Sequence, residues 1–304
     1  MPHETLIQKA RGCLAGLAVG DAVGTTAEFR PKGSFRTITD MIGGGPFDLQ
    51  PGEWTDDTSM ALCLAESLIE RDGFDARDQM ERYCRWWRQG HWSATGKCFD
   101  IGNTVSAALL KFERTGEPFS GSTSPGTAGN GSIMRLAPVP IFRRARDMEP
   151  EVTIERARES SRTTHGAAEC LDACEVLAGL IHGLLGGASK DEALQRLKSR
   201  PVQSPNVQRI IDGSYVGKDP ADVWASGYVL QTLEAALWAF HRTTDFRSAI
   251  LDAVNLGEDA DTTGAVCGQI AGAFYGVEGI PTEWLEKLAL REEIEAMADR
   301  LVGS

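Results

Sequence analysis

Gly264, Gly268, Gly272 and Gly276 recur at strict four-residue intervals through a segment whose other residues are mostly small or apolar. At 3.6 residues per turn, that spacing lays a smooth ridge along one face of a helix. A glycine inside a helix costs about 0.8–1.0 kcal/mol relative to alanine, so four in register imply a second helix that must approach closely, by the small-residue logic of helix packing in membranes. This helix therefore belongs at the centre of a bundle. Elsewhere apolar residues recur at three and four spacing, as in Leu6, Ile7, Ala10, Cys13, Leu14 and Leu17, the signature of amphipathic helix. Further helices are expected to start near Thr58, Asp75, Gly102, Val152, Ala167, Lys190, Asp222, Asp245, Thr262 and Glu292. No segment alternates convincingly with period two and no repeat of fixed period is evident. The expected fold is all-α, a compact orthogonal multi-helix bundle rather than a solenoid, with residues 1–304 forming a single domain.

Composition narrows the function classes. Hydrophobic content of 42% and charged content of 24% are ordinary for a soluble protein with a real core. The net charge of −12 lacks the basic footprint of a nucleic-acid binder, so nucleic acid is an unlikely partner. The densest basic run, Arg143-Arg144-Ala145-Arg146, suits a solvated helix end or loop. Seven cysteines show no zinc-type or disulfide-type spacing, and Cys170 and Cys174 share one helical face, which suggests buried thiols in a reducing compartment. The start, Met1-Pro2-His3-Glu4-Thr5, shows no signal-peptide pattern. No stretch reaches the ~18 uninterrupted apolar residues of a membrane span. The expected location is the cytoplasm.

Two acidic clusters carry the chemistry: Thr55-Asp56-Asp57-Thr58 and Gly257-Glu258-Asp259-Ala260-Asp261-Thr262-Thr263. Each crowds carboxylates beside threonine hydroxyls at a turn leading into an apolar helix. Adjacent carboxylates repel and raise one another's pKa, so the crowding is useful when a cation is present. Hard divalent ions, Mg2+, Mn2+ or Ca2+, take this ligand set. Either cluster by itself also reads as ordinary helix capping by Asp and Thr; the occurrence of both favours one shared metal site. A third segment, Phe119 to Gly131, is long and rich in small residues and ends in Gly129-Asn130-Gly131-Ser132. It suits either a backbone cradle for phosphates or a plain surface loop.

Taken in order, Gly16-Leu17-Ala18-Val19-Gly20-Asp21-Ala22-Val23-Gly24, Trp54-Thr55-Asp56-Asp57-Thr58, Gly129-Asn130-Gly131-Ser132-Ile133-Met134-Arg135 and Gly257-Glu258-Asp259-Ala260-Asp261-Thr262 resemble the ADP-ribosylglycohydrolase family. Cys98-Phe99-Asp100-Ile101-Gly102-Asn103-Thr104 and Ser161-Arg162-Thr163-Thr164-His165 look like its bacterial dinitrogenase-reductase-activating branch, which removes ADP-ribose from arginine. Four ordered motifs are far more specific than any one of them. The resemblance implies an all-helical fold with two divalent cations, Mg2+ or Mn2+, in a central cleft. By matching positions it implies Thr55, Asp56, Asp57, Asp259, Asp261 and Thr262 as metal ligands, and Asp100 and Glu28 as catalytic carboxylates. It further implies Gly102, Gly129, Asn130, Gly131, Ser132 and His165 as substrate contacts. Glu28 also reads as a surface loop acid, and His165 as a cap for the following helix. Some relatives place an aromatic residue for adenine stacking where this chain has Ala128, which leaves the stacking residue open.

The implied partners are an ADP-ribosylated protein, modified on arginine, and the product ADP-ribose. Breaking an N-glycosidic bond to a guanidinium needs stabilisation of a cationic centre and a supply of water, both within the reach of a dinuclear metal site; a metal-free carboxylate pair is the competing mechanism. The same enzyme class also includes hydrolysis of serine-linked, O-acetyl or nucleic-acid-linked ADP-ribose. A non-catalytic relative on the same fold would be expected to lose metal ligands, whereas all six candidates stand here.

Overall fold

A computed structural model describes residues 2–198 and 202–303. The predicted glycine ridge lies on a helix over Ala260–Tyr275, and the helix packed most extensively against it is the first of the chain, His3–Gly24. That first helix carries a ridge of its own. A Cβ at Gly12 would sit 2.5 Å from the Gly272 carbonyl oxygen, one at Gly16 2.5 Å from that of Gly268, and one at Gly20 2.0 Å from that of Gly264. A Cβ at Gly24 would lie 2.4 Å from the Ala260 carbonyl oxygen. Rising numbers on one helix meet falling numbers on the other, so the pair is antiparallel and the two backbones are in contact. Both helices are buried nearly all round, from Ala10 to Gly24 and from Ala260 to Ala273, as expected for helices at the middle of a bundle. The fourth predicted ridge residue also ends the helix. Gly276 stands just past the helix with φ 73° and ψ 174°, an extended positive-φ backbone that only glycine adopts readily, and a Cβ at Gly12 would lie 2.4 Å from its carbonyl carbon.

Numbered along the chain, α1 (His3–Gly24) is followed by α2 (Asp56–Glu70), α3 (Ala76–Gln89), α4 (Asn103–Thr115), α5 (Pro138–Ala145), α6 (Pro150–Arg162) and α7 (Ala168–Leu185). Then come α8 (Lys190–Leu197), α9 (Pro205–Ile211), α10 (Val229–Arg242), α11 (Phe246–Val254), α12 (Ala260–Tyr275), α13 (Thr282–Lys287) and α14 (Arg291–Val302). Among the described residues the only β-pairing is three isolated bridges, so the all-α expectation holds. Most predicted helix starts fall within two residues of the observed ones. The exception is Asp222: only a single 3-10 turn, Pro220–Asp222, forms there, and α10 begins at Val229. Helices α5, α9 and α13 were not anticipated, being too short to display a period and each introduced by proline, Pro138, Pro205 and Pro281.

One hydrophobic cluster runs from Ala10 on α1 to Val302 on α14, and a smaller one, built on Met60, Met80, Tyr83, Trp86 and Leu109, joins α2, α3 and α4. The α1–α12 pair threads the larger cluster and fixes two ends together: the C-terminus of α1 and the N-terminus of α12. The N-terminus of α2 is tied to the same place by Asp21 of α1. Its carboxylate accepts from the Thr55 amide (2.9 Å) and hydroxyl (3.0 Å), and from the Thr58 amide (3.1 Å) and hydroxyl (2.6 Å). Asp21 thus caps α2 from another helix.

The loop before Ile133 is held as firmly. Gly121 N donates to Arg162 O and Gly166 N to Ser122 O, while Asn130 N donates to Gly227 O and Val229 N to Ala128 O. From α12, Gln269 Nε2 donates to the carbonyls of Ile133 (3.0 Å) and Met134 (2.7 Å). The central helix therefore braces both the acidic cluster at its start and the glycine-rich segment alongside.

Candidate active site

The two acidic clusters, 200 residues apart in sequence, meet across one interface of helix ends. Thr55 Oγ1 lies 3.4 Å from Asp57 Oδ2 and 3.2 Å from Asp261 Oδ2, and Thr262 Oγ1 lies 3.4 Å from Asp57 Oδ2. A second knot adjoins the first: carboxylate oxygens of Glu28, Asp100 and Asp261 lie within 4.8 Å of one another. Asp261 belongs to both. Thr55 and Asp259 occupy the N-cap positions of α2 and α12, yet neither side chain caps its own helix. The capping alternative therefore does not account for these residues.

Electrostatics sharpen the point. Asp57 and Asp261 are almost wholly buried, and one carboxylate oxygen of each, together with Glu28 Oε2, has no hydrogen-bond partner. Burial, followed by repulsion from neighbouring carboxylates, pushes Asp56, Asp57 and Asp261 well above the usual carboxylate range. Glu28 is pushed up to about 10 by burial and by the charges of Asp100 and Asp259, and Asp100 to about 7 chiefly by burial. Buried polar groups are normally satisfied, and a crowd of partnerless carboxylate oxygens is the arrangement a hard cation would satisfy. The donors are all oxygen, with no histidine or cysteine in either knot, so the set suits Mg2+, Mn2+ or Ca2+ rather than zinc. The N-termini of two long helices, α2 and α12, supply partial positive charge to the same carboxylates.

These acids open onto a cleft of about 410 Å3, within the usual range for small-molecule sites. Its lining includes Glu28, Asp56, Asp100, Asp259, Asp261 and Thr262, together with Gly102, Gly129, Asn130, Gly131 and His165. Three of the sequence candidates sit behind the surface. Thr55 and Asp57 lie under the acids, and the Ser132 hydroxyl turns away to meet Cys174 Sγ at 3.4 Å. Asn130 borders the cleft, and its Nδ2 donates to Asp259 Oδ2 and Thr232 Oγ1, both at 2.9 Å. Glu28 is not a surface acid, being 3% exposed. His165 does not cap α7, whose N-cap is Ala167 without a side-chain bond. Instead its ring lies beneath Gly129 and Gly131, and burial lowers its pKa to about 3, so it is neutral.

Sequence reasoning passed over Asp21, whose four bonds span 34 and 37 residues and leave no local pattern. It also passed over Phe29. This side chain is 64% exposed at the cleft rim, yet its backbone is left-handed (φ 58°), as are Asp100 (58°) and Glu258 (56°). Bulky residues rarely adopt that conformation, and such strain concentrates at functional sites. Here it is held by reciprocal backbone bonds, Phe29 N to Glu258 O (2.6 Å) and Glu258 N to Arg30 O (2.8 Å), which clamp the Glu28 loop to the start of α12.

The family model described as ADP-ribosylglycohydrolase matches residues 2–304. The chain belongs to the ADP-ribosylglycohydrolase family. Within it, the chain is 46% identical over 302 residues to the ADP-ribosylarginine hydrolase Tri1 of Serratia proteamaculans (strain 568), covering 99% of this chain and 81% of that relative. It is 35% identical over 311 residues to the ADP-ribosyl-[dinitrogen reductase] glycohydrolase of Rhodospirillum rubrum, covering 100% and 98%. A solved structure described as an ADP-ribosylglycohydrolase-related protein complex superposes with a TM-score of 0.88 at 44% identity, covering 99% of each chain.

Proposed function

We propose that this glycohydrolase, with residues 1–304 working as one domain, removes ADP-ribose from modified arginine side chains by hydrolysing the N-glycosidic bond. The observation that carries the reading is the convergence of both acidic clusters, with their partnerless buried oxygens, on a cleft also lined by Gly129 to Gly131 and His165. The name ADP-ribosylarginine hydrolase, carried by relatives at 46% identity, favours arginine as the attachment point. Thr55, Asp56, Asp57, Asp259, Asp261 and Thr262 would hold two divalent cations, Mg2+ or Mn2+, and the presence of Asp261 in two adjoining oxygen knots supports two positions over one. Such ions, when bound, polarise ribose hydroxyls and lower the pKa of water.

The chain's own groups do the rest. A cluster of carboxylates stabilises the positive charge that moves onto ribose as the C–N bond breaks and the electron pair leaves with the guanidine nitrogen. Asp100, in the cleft beside Glu28 and Asp261, is the group placed to carry a proton between water and the leaving nitrogen, and Glu28 is the second candidate for that role. Gly102 and the Gly129–Gly131 backbone leave room for ligand, and His165 and Asn130 border it. Cytoplasmic action fits seven free cysteines, and no helix among the described residues is long and apolar enough to cross a membrane.

The test is a panel of purified substrates carrying ADP-ribose on arginine, on serine, on an acetyl group and on nucleic acid. Arginine-linked ADP-ribose should be released with a kcat/KM at least tenfold above the others. A clear preference for any other linkage would overturn the assignment of arginine, and no release from any of them would overturn the enzymatic reading.

A further inference from the structure

Arg135 is fully buried, and no carboxylate among the described residues forms an ion pair with it. Its guanidinium packs over the Tyr83 ring at 4.6 Å, Nη1 reaches the Met60 sulfur at 3.7 Å, Nε has no partner, and Nη2 donates to Thr164 Oγ1 at 2.6 Å. A buried cation without a counter-charge is costly, and the Tyr83 face offsets only part of that cost. Thr164, also fully buried, has one hydroxyl proton, and its other partner is His165 Nδ1 at 2.8 Å. With Arg135 donating to the oxygen, that proton goes to Nδ1; were Nδ1 itself protonated, the buried hydroxyl would be left without an acceptor. Nδ1 is therefore the acceptor and the ring proton sits on Nε2.

That edge of the ring faces the cleft beneath two glycines. A Cβ at Gly131 would lie 2.8 Å from His165 Cε1 and 3.1 Å from Nε2, and one at Gly129 3.5 Å from Nε2. The absence of side chains at both positions keeps the ring edge open to the cleft.

We propose that Arg135 and Thr164 are positioning residues that lock His165 as an Nε2–H donor toward an anionic group of the ligand, the diphosphate of ADP-ribose, and that the unpaired charge of Arg135 strengthens that anion's binding. The proposal rests on the ADP-ribose reading above for its ligand, but the tautomer follows from the hydrogen bonds alone.

The test uses the full chain labelled with 15N at histidine, as wild type, Thr164→Val and Thr164→Ser, with thermal melts to verify folding. Wild type and Thr164→Ser should show His165 protonated at Nε2 only. Calorimetry with free ADP-ribose should give about tenfold weaker binding for Thr164→Val and near-normal binding for Thr164→Ser, as for loss and retention of one hydrogen-bond relay to a charged ligand. With arginine-linked substrate the defect should appear in KM, kcat at saturation being little changed. A wild-type ring protonated at Nδ1, or a folded Thr164→Val protein binding ADP-ribose within twofold of wild type, would overturn the proposal. Wild-type protein that binds no ADP-ribose would overturn the ligand assignment and the functional reading together, while the 15N signature would still decide the tautomer.

Discussion

Asp21 shows how a single buried side chain can organise a site without touching ligand. It is fully buried, its pKa is raised to about 6 by burial, and it survives as a charge by accepting four hydrogen bonds from Thr55 and Thr58. In Asp21→Asn an amide would face two of those donors. The variant is expected to lose about 2–4 kcal/mol of stability by urea titration, the cost of leaving buried donors unpaired, and to lose activity with it; unchanged stability and turnover would count against the tethering role. Metal candidates should behave in the opposite way. Asp57→Asn and Asp261→Asn each remove one charge from a like-charged buried cluster, so in chelator both are expected to melt above wild type while hydrolysis falls by at least a thousandfold. A melt below wild type would show that these carboxylates stabilise the fold. The acids themselves were legible in the sequence because doublets such as Asp56-Asp57 are local. Asp21 and the left-handed backbones of Phe29 and Glu258 were not, because partners distant in sequence hold them, and the orientation of His165 was not, because it runs through Thr164 to Arg135, 29 residues from Thr164.

Between elements, the α1–α12 contact explains why the first and twelfth helices tolerate so much glycine. Half of that contact was legible: the four-residue spacing near the end of the chain announced a close partner but could not name it. The matching ridge at Gly12, Gly16, Gly20 and Gly24 sat in plain view, its last three members inside a motif chosen for other reasons. By intrinsic propensity Gly268→Ala should stabilise a helix. By geometry its Cβ would fall 1.9 Å from the Gly16 carbonyl oxygen, so the variant is expected to lose about 3 kcal/mol or more as backbone is forced from backbone. Gly183→Ala on α7 is the control. Its Cβ would meet only Ala193 Cβ at 3.9 Å, and a gain of about 0.5–1 kcal/mol is expected. Equal effects of the two substitutions in denaturant melts would remove the close-approach explanation.

At the scale of the molecule, the site is a store of unfavourable charge held by the surrounding fold. Folded-state pKa values above the unfolded carboxylate range mean that the ion-free protein binds extra protons when folded. Stability from these groups is full below about pH 4 and is lost as pH rises through about 6 for Asp21, about 7 for Asp100 and about 10 for Glu28. In chelator the protein is therefore expected to melt higher at pH 5.5 than at pH 8, and saturating Mg2+ or Mn2+ should narrow the gap because the ions replace protons. A gap that stays the same with and without ions would indicate that these carboxylates are not the binding site. The most direct measurement is release of ADP-ribose from an arginine-modified protein by chelator-treated enzyme, followed as Mg2+ or Mn2+ is restored. Turnover should be at background without ions and return in full on adding them, with two ions bound per chain by calorimetry; full turnover in the chelated enzyme would contradict the metal-centred site.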